Sequence, residues 1–151
     1  MSRRKSRILA LQALYSYDVG GVPVDELLKF EWDSFETLPS ESEGSASQSV
    51  QDADSDTYDF ARILVSGTVN HLEEVDSIIE NHLSSGWTME RMNRVSLAIL
   101  RLSVYSLLYF EDMPATIVID EAIDLAKDFG IDDSFKFINA VLDTIRKERG
   151  L

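Results

Sequence analysis

The chain has no cysteine. That excludes disulfides, thiolate zinc sites and a thiol nucleophile, and it is compatible with a reducing, cytoplasmic setting. Histidine is scarce as well: His71 and His82 are the two present, and they lie three helical turns apart, too far to share a metal without a further ligand. They read as ordinary helix-surface residues. There is no Gly-rich phosphate loop, no GxSxG and no HExxH, so the common enzyme signatures are missing. No metal, cofactor or catalytic group is expected. The longest apolar stretch, Val95 to Phe110, is short of the roughly 20 residues a bilayer span requires and carries Arg101. It reads as a buried helix, and no membrane association is expected. The basic start runs into Gln12, Tyr15 and Tyr17 rather than a clean apolar run, so it does not read as a signal peptide.

Positive charge is the other shortage. Lys and Arg number 14 against 27 Asp and Glu, for a formal charge of −13. Nucleic acid repels such a chain on average, so any RNA contact must be confined to a patch or supported by a second protein. Four cations, Arg3, Arg4, Lys5 and Arg7, fall in the first eighteen residues, which contain a single Asp. They run without a break into an apolar helical pattern, so they can be held rigidly.

At 151 residues the chain is long enough for one domain with a real core. It reads as helical throughout. Helix one is expected over Ser2 to Asp18, stopped by Gly20-Gly21, with a short helix over Val24 to Asp33. Glu36 to Thr57 is rich in Ser, Asp and Glu and poor in large apolar groups, and reads as a mobile acidic loop. Helical spacing resumes at Tyr58, pauses at Ser84-Ser85-Gly86 and restarts with Thr88 as an N-cap. Pro114 suits the first turn of the next helix, Gly130 its C′ position, and Asp132/Asp133 the start of the last helix. Carboxylates such as Asp120, Glu121 and Asp124 form a wet face opposite Ile119, Ala122 and Ile123.

Two clusters are candidates for RNA. On helix one, Arg4, Ile8, Gln12 and Tyr15 share a side: a cation for phosphate, an amide for a base edge and a ring for stacking or a partner. Read alone, this favours the plainer role of a solubilising start to a core helix. On the last helix, Phe135, Ile138, Leu142 and Ile145 define the buried stripe. Phe137 stands at its edge beside Lys136 and near Asp133, where it suits base stacking or peripheral packing equally.

The same residues carry a resemblance. RRKSRILALQALYSYD, FARILVSGTVNHLEEVDSIIENHL and the long run from Ala98 to Ile145 are similar, in order and at family spacing, to the NusB family of transcription antitermination factors. The resemblance covers nearly everything except about Glu36 to Thr57. It implies an all-α fold of two small helical bundles packed together, about seven helices, and no enzymatic activity. It implies binding of boxA-type single-stranded ribosomal RNA leader together with NusE, a small-subunit ribosomal protein, within the RNA polymerase antitermination complex. The RNA-facing residues it implies are Arg3, Arg4, Lys5, Arg7 and Gln12, with Asp133, Ser134, Lys136 and Phe137. Tyr15 and Ser96 fall where the partner surface is expected. Ser96 and Leu97 depart from a usual charged pair, Ser106 from a common Glu, Asp120 from a common Asn and Ala140 from a common Gly. An RNA-targeting module of a ribosomal-RNA methyltransferase and a helical domain that binds only protein stand as alternatives, and a homodimer is left open.

Overall fold

A computed structural model describes residues 2–32 and 55–151. Seven α-helices and no strands occur among the described residues: α1 (Arg3–Gly20), α2 (Val24–Leu27), α3 (Ser55–Asn70), α4 (Leu72–Asn81), α5 (Arg94–Tyr109), α6 (Ala115–Phe129) and α7 (Ser134–Glu148). A 3-10 turn, Met89–Arg91, precedes α5. The chain divides into two compact units, Met1–Ser66 and Gly67–Leu151. None of the described helices is long and apolar enough to cross a membrane.

In the first unit, α1 buries Leu9, Ala10, Ala13 and Leu14, while Leu27 and Phe30 are buried in and after α2, and Ala61, Leu64 and Val65 in α3. The helix ends where the glycines predict. Gly21 takes φ 65, a left-handed conformation that glycine adopts without steric penalty, and its N–H donates to the Ser16 carbonyl. The Arg62 side chain joins α3 to the chain after α2, donating from Nε to the Leu28 carbonyl at 2.8 Å and lying 5.7 Å from the centre of the Phe30 ring. Most of the expected acidic loop lies outside the described residues. Its last three positions differ from expectation: Ser55, Asp56 and Thr57 form the first turn of α3, and Thr57 is fully buried.

In the second unit, α5 is the central helix. It touches α4, α6 and α7 and buries residues on every side, from Ser96 and Leu97 to Ser106 and Leu107. Its start is fixed by Asn93, whose Oδ1 accepts from the N–H groups of Val95 and Ser96, both at 3.1 Å. The guanidinium at its middle, Arg101, is matched by a two-pronged ion pair to Asp76 on α4, both contacts 2.9 Å. The Tyr105 ring occupies the space that a Cβ on Gly67 would need, which explains a glycine inside α3. Pro114 sits one place earlier than expected, as the residue before α6. Gly130 ends α6 in an extended rather than a left-handed conformation. Its need for glycine is space: a Cβ there would lie 2.5 Å from Ser134 Oγ and 2.7 Å from the Ala126 carbonyl oxygen.

His82 also departs from a plain surface residue. Its side chain is only 10% exposed, with Nδ1 2.7 Å from the Ile78 carbonyl and Nε2 2.9 Å from Glu148 on α7. It therefore straps the end of α4 to the end of α7.

Candidate nucleic-acid interface

The basic start of α1 is anchored by small polar groups. Ser2 caps the helix, its Oγ accepting from the Lys5 N–H at 3.1 Å. The Ser2 N–H donates to Thr57 Oγ1 at 2.9 Å, and Ser6 Oγ donates to the Thr57 carbonyl at 2.7 Å. Thr57 and Ser6 are both fully buried, so the bond between them is shielded from water. The first turn of α1 is thereby fixed to the first turn of α3.

The four cations divide into two roles. Arg3 and Arg4 are exposed and Lys5 is half-buried. Arg7, also expected among the RNA-facing residues, is only 5% exposed. Its guanidinium lies 5.9 Å from the centre of the Phe60 ring, on α3. Arg3 approaches the same ring at 5.9 Å. An arginine stem packs well on an apolar surface and its guanidinium on an aromatic face, which accounts for a buried Arg on a helix otherwise turned inward by leucines. Gln12 is half-buried, and its amide oxygen is covered and has no hydrogen-bond partner among the described residues. Tyr15 is exposed.

The start of α7 in the second unit is built differently. Asp133 precedes the helix in a left-handed conformation, φ 62, which Asp tolerates better than most residues, and its side chain makes no capping bond. Its carboxylate lies 3.8 Å from Lys136 Nζ, an exposed pair of small energetic weight. Ser134 is buried, and its hydroxyl has no hydrogen-bond partner among the described residues. Phe137 is half-buried with its ring 6.1 Å from that of Trp87, tilted by 37°. Phe135 is not part of the fully buried stripe. It is half-buried, with Lys127 Nζ 5.0 Å and Lys136 Nζ 6.0 Å from its ring, while Val141 joins Ile138, Leu142 and Ile145 inside.

Ser96, expected at the partner surface, is 3% exposed. It stands in the first turn of α5, next to the buried Leu97 and Ala98. The structure thus brings together Arg3, Arg4, Lys5, Arg7 and Gln12 on one helix of the first unit. It brings together Asp133, Ser134, Lys136 and Phe137 at one helix start of the second. Residues missed by the sequence reading are Thr57, Phe60 and Trp87. For Thr57 a signal existed, since Ser-Asp-Thr directly before an apolar helical run is a helix-start composition.

Comparison with known proteins bears on what these elements are. The model of the NusB family matches residues 4–147. The transcription antitermination protein NusB of Treponema denticola is 47% identical over 148 residues, which is 98% of each chain. That of Geotalea uraniireducens is 44% identical over 144 residues, 95% of this chain and 93% of its own. Among solved structures, a complex of the antitermination factors NusB and NusE with double-stranded RNA contains a chain 32% identical, with a TM-score of 0.77, covering 97% of this chain and 96% of that one. The NusB of T. maritima is 30% identical with a TM-score of 0.75, covering 98% and 92%. With the family pattern running through both units and both helix starts, the chain belongs to the NusB family.

Proposed function

We propose that this protein is a noncatalytic transcription antitermination factor that binds boxA-type RNA together with NusE, acting in the cytoplasm within the RNA polymerase antitermination complex. The observation that carries this reading is the similarity, along nearly the whole chain, to the NusB chain solved with NusE and RNA. The anchored cations at the start of α1 support it from this chain's own residues. Arg3, Arg4 and Lys5 sit on a helix turn that Thr57 fixes, so the backbone that carries them needs little further ordering to meet phosphate oxygens. Fixed cations give affinity without sequence preference, because phosphate is the same at every nucleotide. Selectivity then rests on aromatic and amide groups such as Phe137 and Gln12, and on the partner.

A net charge of −13 opposes RNA at long range, so binding by this chain alone is weak and the partner raises it. Fluorescence anisotropy of a boxA-type RNA, with and without NusE, tests the reading. The expected result is a clear gain in affinity with NusE that a scrambled RNA does not share. Equal binding of scrambled RNA and no gain from NusE would overturn it.

A further inference from the structure

A groove of about 340 Å³ opens between the 3-10 turn, the start of α5 and the start of α7. Its apolar side chains are Trp87, Met92, Ile131 and Phe137, and its polar ones Arg91, Asn93, Ser96 and Ser134. We propose that this groove receives one unpaired base of the bound RNA, with the Trp87 indole as its stacking platform. The inference rests on the RNA-binding reading above and assigns to it a subsite and a residue.

Three observations select a base as the occupant. Trp87 is 51% exposed and Ile131 62% exposed, and the two lie together on the groove wall, where they offer apolar surface that a flat ring can cover. The lining contains Arg91 and no carboxylate, in a chain of net charge −13. A groove spared from acid in so acidic a chain is compatible with the phosphates that accompany a base. The polar groups on its walls are chiefly donors. Asn93 Oδ1 is already engaged by two backbone N–H groups, which leaves its amide NH₂ to offer. Arg91 has further N–H groups besides the one donating to the Gly86 carbonyl at 3.1 Å. Carbonyl oxygens and ring nitrogens on a base edge are the matching acceptors. Ser134, buried with no partner for its hydroxyl among the described residues, adds one group that can donate or accept.

Phe137 joins this groove to the RNA-facing segment of α7. Its ring leans on Trp87 rather than standing parallel to it, so the base stacks on the open indole face rather than between the two rings. A base held inside a duplex cannot present its face in this way. The groove therefore selects single-stranded RNA.

The test uses the full chain. Trp87→Ala should weaken binding of a boxA-type single strand, measured by anisotropy with NusE present, by about tenfold, and Trp87→Phe should retain most of the affinity because a ring remains. The chain has two tryptophans, so Trp32→Phe leaves Trp87 as the sole indole fluorophore. Its emission should be quenched by the single strand and not by the same sequence as a duplex. Wild-type binding with Trp87→Ala unchanged and the indole unquenched overturns the groove while leaving the functional reading intact. Absence of RNA binding by the wild type overturns both. If Trp87→Ala weakens NusE and not RNA, the groove is a protein surface and the proposal fails.

Discussion

The start of α1 exposes cations, and the nearby Phe60 of α3 packs against two of its arginines; the start of α7 exposes aromatic surface, with Lys136 paired to Asp133 and Lys127 over the Phe135 ring. The first supplies charge on a fixed turn. In the proposed reading, the second offers faces and edges on which bases are told apart. Phosphate attraction is uniform along RNA, while stacking and edge contacts are not. A factor of this acidity needs both, because the cations alone do not overcome its mean charge and the aromatics alone do not reach the backbone.

This contrast can be broken from either side. Replacing Arg3, Arg4 and Lys5 together with Ala should have the largest effect. Each cation on single-stranded RNA contributes about fivefold at 0.1 M salt, so the triple variant should bind about a hundredfold more weakly in anisotropy. Arg7→Ala should act on folding instead. Losing a buried stem and its ring contact should cost about 2 kcal/mol and lower the melting temperature by roughly 4–8 °C in calorimetry.

Smaller effects should follow at the anchor and at the second unit. Thr57→Val keeps the shape but removes the acceptor for the Ser2 N–H, which should cost about 1 kcal/mol in denaturant unfolding. RNA affinity should fall along with it although no charge is lost. Lys136→Ala should weaken RNA binding by about threefold, the smallest effect, because Asp133 already offsets part of its charge. An equal loss from Lys136→Ala and from the triple variant would erase the distinction between the two helix starts.

Much of this arrangement is legible in the residues. The apolar stripes of α5 and α6, the stop at Gly21 and the basic run into helix one all follow from periodicity and backbone preference. What escapes is pairwise. Arg7 reads as a surface cation because charge predicts exposure, and only the position of Phe60 on another helix shows where the guanidinium goes. Thr57 reads as loop because the acidic stretch before it has no apolar pattern, and a buried hydroxyl that caps a distant chain end leaves no periodic trace. Trp87 lies in a short turn outside any long helix, so no stripe marks it, and its meaning depends on Phe137 fifty residues away. Gly130 is correctly placed at a helix end, yet its purpose is room for Ser134 rather than a left-handed turn.

The division of labour among the four N-terminal cations is tested most directly by the salt dependence of RNA affinity for Arg3→Ala and Arg7→Ala, measured side by side with NusE present. Arg3→Ala should flatten the log–log slope by about 0.7, the contribution of one phosphate contact on a single strand, while Arg7→Ala leaves the slope unchanged. An equal flattening by Arg7→Ala would mean that its guanidinium reaches phosphate and would contradict the account.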